Sequence, residues 1–427
     1  MSQFRLARLA LMLAALGLNA APVLMHSASA EDKPAAAPQD GVRPELLKLL
    51  DQAQAKQLVD AKNFTELQNR LTQADAIPNK TPYENYVLAR TKLMLASGSK
   101  NEPLLQSSLE EILATGKLPA ADQPRFTKAL ADSYYGSKNY AKAIELYKQV
   151  QTSNYEPDAV TTALVRSYYF SNDFKQAVAL LGPQLDAQVK AGKTPSQDDL
   201  RIYGSAAGKI KDNAAYVHGL EMLATYYPTD DYWDDLIKRG IVQKPGFSDA
   251  NFNDVLRLQF AAAKQLPPEN YMDLADLALR DGFPTEAKKV LDAGFAAGVL
   301  KTPQQKAARD KATKQAADDA KTIAAGEGAA AKAKSGAGLV NIGWAYVTME
   351  QYDKGIGFIE QGIAKGSLKS PDEAKLRLGM AYARAGQKDK ALQTFDTVKA
   401  GGGLSDTAKY FALLLNHPNT GAGAAAK

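Results

Sequence analysis

Three histidines, His26, His218 and His417, and no cysteine are what this 427-residue chain offers to nucleophilic or metal-assisted chemistry. A Ser-His-Asp arrangement needs its imidazole held between a hydroxyl and a carboxylate, and the chain has no G-x-S-x-G elbow to present such a hydroxyl. His218 is read as a helix-surface or packing residue. Paired thiols, H-E-x-x-H and calcium-loop spacings are also missing, so the usual zinc and EF-hand sites are not expected. Asp230, Asp231, Asp234 and Asp235 surround Tyr232 and Trp233. Oxygen ligands of this kind can hold calcium, but acids in the first turn of a helix opening near Thr229 are what capping and the helix dipole favour. The stretch "GEGAAA" at 326–331 satisfies a dinucleotide glycine pattern, yet it follows no strand and sits in low-complexity sequence. The chain is therefore read as non-enzymatic, with no catalytic, metal or cofactor site.

Residues with binding potential are instead aromatic and basic. "ADSYYGSKNYAKAIELYK" (131–148) and "VRSYYFSNDFKQAVALLG" (165–182) carry a tyrosine doublet at a spacing of 34 residues. On a helix turning about 100° per residue, the members of a doublet face different ways. Tyr134 joins Thr127, Leu130 and Ala131 on an apolar face, whereas Tyr135 joins Arg125, Lys128 and Asp132. In the second copy Tyr169 lies with Arg166 and Thr162, beside Phe170.

Helices must position these residues, and a repeat organises the helices. Apolar residues recur at intervals of three and four, and alternating strand patterns are scarce; "VNIGWAYVTM" (340–349) looks locally β-prone, but the repeat register overrides that reading. Leu130, Tyr134, Ala143 and Tyr147 map at a shift of 34 onto Leu164, Tyr168, Ala177 and Leu181. The spacing returns in Ile342, Gly343, Tyr346, Tyr352, Gly355 and Ile359, then in Leu378, Gly379, Tyr382, Gly386, Ala391 and Phe395. Leu274, Ala275, Ala278, Gly282, Ala287 and Leu291 form another copy. A weaker one runs through Tyr203, Gly204, Ala207, Tyr216 and Leu220.

This pattern resembles the tetratricopeptide repeat, a 34-residue unit of two antiparallel helices. Small residues such as Ala143, Ala177, Ala287 and Ala391 let neighbouring helices approach, and large ones fill the gaps. The resemblance covers residues 124–404 and implies an all-α fold, a right-handed superhelical solenoid of antiparallel hairpins. Less regular hairpins are expected over 45–116 and 229–266.

What the resemblance further implies is a groove lined by the first helices of successive units, where peptide ligands commonly lie. Its positions correspond to Arg125, Lys128, Asp132 and Tyr135, then Arg166, Tyr169 and Phe170, then Arg201, Ser205 and Lys209. Arginine beside aromatic faces suits an extended protein or peptide segment with acidic groups or a free C-terminus. The alternative is that Tyr135 and Tyr169 seal adjacent helices and the arginines are solvated. The asparagine of the family's carboxylate clamp has no counterpart here. Trp344, Val347, Met380 and Arg384 occupy the equivalent positions near the C-terminus, as a second, more apolar groove surface.

Residues 1–30 read as a signal peptide: Arg5 and Arg8 precede the apolar run Leu9–Leu18, and Ala28-Ser29-Ala30 supplies small residues before a cut at Glu31. Its removal lowers the formal charge from +5 to +3. The expected destination is the periplasm of a Gram-negative cell, with secretion as the alternative. Residues 31–44 suit a flexible leader and 417–427 a flexible tail. Between them lie a first repeat block (45–301), an Ala/Lys-rich degenerate repeat or helical spacer (302–335) and a second block (336–416). The Ala/Lys segment is expected to be helical but loosely packed, since alanine buries few methylenes at about 0.8 kcal/mol each. Its mixed charges suit a solvated face rather than nucleic acid, and it lacks the Leu, Phe or Trp that an interfacial membrane helix buries. Stable membrane insertion is not expected. A scaffold for a protein partner is the first reading of function, and an envelope component contacting polysaccharide or peptidoglycan is the alternative.

Overall fold

A computed structural model of the chain describes residues 41–419. The signal peptide, the leader up to residue 40 and the tail from residue 420 lie outside the described residues. Regular structure among the described residues is entirely helical. The chain divides into two compact units, up to Leu181 and from Gly182.

The first unit contains α1 (Pro44–Leu50), α2 (Gln52–Asp60), α3 (Phe64–Ala76), α4 (Pro82–Ser99), α5 (Glu102–Ala114), α6 (Gln123–Gly136), α7 (Tyr140–Thr152) and α8 (Pro157–Phe170). The division falls within α9 (Phe174–Lys190). The second unit continues through α10 (Gln197–Lys209), α11 (Asn213–Tyr226), α12 (Asp230–Ile237), α13 (Phe252–Ala262), α14 (Pro268–Arg280) and α15 (Pro284–Ala296). After these come α16 (Pro303–Lys332), α17 (Ala337–Thr348), α18 (Tyr352–Lys365), α19 (Pro371–Arg384), α20 (Lys388–Asp396) and α21 (Leu404–Asn416).

One turn builds the hairpins. At Lys62, Lys100, Lys138 and Asn172 in the first unit, and at Lys211, Gly282, Glu350 and Gly386 in the second, the first helix of a pair ends on a residue with φ between 56° and 85°. The amide of that residue returns to the carbonyl three residues back, and the next amide to the carbonyl five back, as in Lys138 N to Tyr135 O and Asn139 N to Tyr134 O. This Schellman closure satisfies the last carbonyls of the first helix. The residue completing it, for instance Asn63, Asn101, Asn139 or Asp212, then accepts an amide of the second helix with its side chain. A four-residue turn thus ends one helix and starts its antiparallel mate. The pair α12 and α13 lacks the turn. They are joined by a π-helical turn (Lys238–Val242) and a short 3-10 turn (Asp249–Asn251).

Packing follows the repeat. Ala143, Ala177, Ala287 and Ala391 are all buried, as is Tyr134, while Tyr168 is half-buried against the same core. The Tyr134 hydroxyl bonds the Glu110 carboxylate, and Lys142 Nζ donates to the same hydroxyl at 2.8 Å. Tyr346 repeats the clasp with Glu327 and Lys354, and Tyr382 with Glu360 and the Lys390 ammonium over its ring. Each clasp ties the first helix of a hairpin to the helix before it.

The Ala/Lys segment forms one continuous helix of 30 residues, α16, opened by a capping box between Thr302 and Gln305. A single helix stands where a repeat would place a hairpin. Only Ala312, Ala316 and Ala330 are buried along it, but it is tied near both ends. Arg309 bonds Asp292 and lies over Phe295, and Glu327 meets Lys354 at 2.8 Å in the Tyr346 clasp. Gly326 and Gly328 of "GEGAAA" flank that glutamate within the helix, not in a nucleotide-binding loop. "VNIGWAYVTM" is helical, within α17 and the start of the following turn.

At the two ends of the described chain, two side chains are held by specific bonds. Arg43 pairs with the fully buried Glu84 through its backbone amide and its guanidinium, and Asn419 is buried with Nδ2 donating to Ala262 O at 3.1 Å.

Candidate interaction surface

The stripe Arg125, Lys128, Asp132 and Tyr135 lies along α6. Arg125 Nη2 reaches Asp122 Oδ1 at 2.8 Å, and its guanidinium sits over the Phe126 ring. Lys128 is buried along its stem and meets Asp132 at 3.1 Å and Glu156 at 3.5 Å. Asp132 also accepts the Tyr147 hydroxyl at 2.5 Å. The two cations therefore face three carboxylates. Asp122 and Glu156 approach from outside the stripe, so the charges of Arg125 and Lys128 are balanced locally.

Aromatic residues do converge. Tyr135 and Phe170 end the first helices of two successive hairpins, and Tyr140 and Phe174 open the second helices. Ring centroids lie 5.6 Å apart for Tyr135 and Tyr140, 6.3 Å for Tyr135 and Phe170, and 5.7 Å for the stacked pair Tyr140 and Phe170. Tyr169 meets Phe170 and Phe174 edge to face at 5.5 Å each. Phe170 remains 50% exposed, and Arg166 is half-buried on the same helix. The turns thus bring Tyr135, Tyr169 and Phe170 together with two residues that sequence reasoning missed, Tyr140 and Phe174. Their signal was present: both follow the capping residue, 34 positions apart.

Arg201 and Lys209 lie on α10 in the second unit. Arg201 Nε donates to the Tyr232 hydroxyl at 2.9 Å, which raises the arginine pKa, and Lys209 is exposed in the last turn. His218 rests beside Tyr203 with Nε2 2.8 Å from Asp186 Oδ1. The four aspartates around Trp233 lie on α12, and three of them, Asp230, Asp234 and Asp235, hold neighbouring segments. Thr229 caps α12, Asp230 accepts the Lys264 amide, Asp234 accepts Gln259, and Asp235 accepts the Tyr216 hydroxyl, which with burial pushes that tyrosine up to about 12.

The second groove surface expected near the C-terminus is covered. Trp344, Val347 and Met380 are buried, and Arg384 is partly so. Above Trp344 stands Arg257 of α13, its guanidinium 5.1 Å from the ring and only 1% exposed. Arg257 makes a two-pronged bond to Glu286, with Nη2 to Oε2 at 2.7 Å, and a third bond to Asp254 at 2.6 Å. Trp344 Nε1 donates to Glu286 at 3.3 Å, and Arg384 approaches it at 3.4 Å.

Burial alone would raise the Glu286 pKa, but the field and bonds of Arg257, with Arg384 and Trp344, outweigh it and hold the group at about 2. A carboxylate depressed in this way contributes stability that is present above its ordinary value of 4.5 and is lost as pH falls towards 2. Urea midpoints of the second unit are expected to drop steadily over that interval, and Glu286→Gln should flatten the drop. A pH dependence unchanged by the substitution would count against the pair.

Helical hairpins closed by one recurrent turn define a helical-repeat protein. Residues 340–404 match the family described as tetratricopeptide repeat. No curated protein matches its sequence. Among solved structures, the TPR2AB domain of yeast Sti1 in complex with pHSP90 shares 14% identity, with 70% of this chain and 99% of that chain covered, at a TM-score of 0.23. Yeast Tom70 shares 10% identity, covering 87% of this chain and 95% of its own, also at a TM-score of 0.23.

Proposed function

We propose that the chain is an exported, non-enzymatic scaffold whose first unit docks a protein or peptide segment on the ring cluster around Phe170. The observation that carries this reading is an aromatic side chain half exposed yet braced by Tyr135, Tyr140 and Tyr169. Such a group is already ordered, so a partner covering it gains apolar burial at little entropic cost, and aromatic residues dominate measured interface energies. Arg125 and Lys128, paired with acids, shape the helix beneath rather than select carboxylates. The tetratricopeptide fold supports a role in protein interaction. Export rests on Arg5, Arg8, the Leu9–Leu18 run and Ala28-Ser29-Ala30. No helix among the described residues is long and apolar enough to cross a membrane.

The test is crosslinking in intact cells with a photoreactive residue at position 175, beside the cluster. Tyr140→Ala with Phe170→Ala should lower capture of the partner about tenfold or more, equivalent to at least ~1.4 kcal/mol, with helicity unchanged. Full capture by that double variant would remove this surface from consideration. Sedimentation with sacculi that depends on the same two rings would instead favour the glycan reading. Sequencing of the mature N-terminus is expected to begin at Glu31.

A further inference from the structure

Helix α13 differs from the outer helices of the repeats in what it buries. Residues 253–258 are six in succession and all are buried. Six residues make more than one and a half turns, so the helix is covered on every side. A second helix of an ordinary hairpin, such as α7, buries only the stripe Ala143, Tyr147 and Val150. The polar side of α13 is also made to fit what it meets. Asn253 Nδ2 donates to Asp281 at 2.8 Å, and Arg257 is locked between Asp254, Glu286 and the Trp344 ring. At the N-terminus of α13, Asn251 Nδ2 donates to Gly402 O at 2.8 Å. Furthermore, α13 is joined to α12 without the hairpin turn that builds the other pairs.

We infer that α13 is seated in cis against α14, α15, α17 and α21, as an exchangeable helical ligand whose Arg257, braced by Asp254 of the same helix, is read by Glu286 of α15 and Trp344 of α17. The face expected to accept partners in the second unit is therefore a latent site for an amphipathic helix bearing Asp-x-x-Arg, closed while α13 is seated. The recognition chemistry is explicit. A guanidinium bonded through two nitrogens to one carboxylate and lying over an indole combines charge, direction and a cation–π contact, and lysine cannot reproduce that fork. This inference is independent of the ring cluster around Phe170.

The test uses the full chain and a fluorescein-labelled synthetic peptide of residues 247–266, followed by anisotropy. The unaltered chain should show no saturable binding, because the tethered helix outcompetes the free one. An Arg257→Ala chain should bind the peptide, and adding Glu286→Gln should weaken that binding at least tenfold. In Arg257→Ala the exchange of amides of residues 252–262 should accelerate at least tenfold more than that of amides of 371–384. If Arg257→Ala does not fold, Arg257→Lys takes its place. Absence of peptide binding by a variant of native helicity would overturn the inference. So would collapse of the whole second unit in both variants, which would make α13 an inseparable part of the core.

Discussion

Arg257→Ala is expected to lower the stability of the second unit by about 3–5 kcal/mol, the range for removing one partner of a buried ion pair. The magnitude follows from what is left behind. Glu286 and Asp254 are both buried, and without Arg257 they must keep an uncompensated charge or take up a proton. Arg384, about a third exposed and 3.4 Å from Glu286, recovers only part of the loss. The measurement is urea unfolding followed by tryptophan fluorescence, since both tryptophans, Trp233 and Trp344, report on this unit. Replacing the three charges together, as Asp254→Leu, Arg257→Met and Glu286→Leu, should restore much of the stability, because burying ions is costly before they attract one another. Recovery will be incomplete, as Trp344 Nε1 loses its acceptor. A loss below about 1 kcal/mol for Arg257→Ala would mean that the cluster is solvated in solution, where ion pairs contribute that little.

Gly343→Ala is the second substitution expected to act strongly. A Cβ there would stand 2.6 Å from Gly355 O and 2.7 Å from Ile359 Cγ1, and a Cβ on Gly355 would meet Gly343 O at 2.6 Å. The backbones of α17 and α18 touch at this crossing, so the methyl meets a carbonyl that cannot rotate away. Overpacking of this kind costs about 1–3 kcal/mol, sometimes more, against a helix-propensity gain of about 1 kcal/mol. Net destabilisation of about 1 kcal/mol or more is expected. Gly357→Ala serves as the contrast, for nothing lies within 4 Å of its would-be Cβ. It should stabilise by about 0.5–1 kcal/mol. Thermal unfolding of the two variants should thus shift in opposite directions, and a neutral Gly343→Ala would show that the helices are not in backbone contact.

Much of the architecture was legible in the residue pattern. Tyr134, Ala143 and Ala391 stand in the core positions their 34-residue spacing assigned, and Thr229 caps α12 as read. The hairpin turns carried a clearer signal than was used: "GSKN" occurs at 98–101 and again at 136–139, each time ending one helix and capping the next. The candidate surface was legible only in part. Tyr135, Tyr169 and Phe170 do cluster, but the pairing of Lys128 with Glu156 of the next hairpin was not visible within the α6 stripe. "VNIGWAYVTM" is apolar nearly all round, which marks a helix covered on all sides. That composition was the available warning that Trp344 and Val347 would not face solvent.

Helices, turns and repeat register were determined by the sequence itself, because capping, Schellman closure and apolar periodicity act between residues a few positions apart or at one fixed spacing. Which faces are open and which charges are neutralised was decided only by the tertiary structure. Arg257 and Glu286 are 29 residues apart and Glu286 and Trp344 are 58 apart. Helical phase says which way a side chain points, but burial and Coulomb energy depend on what stands opposite it in space.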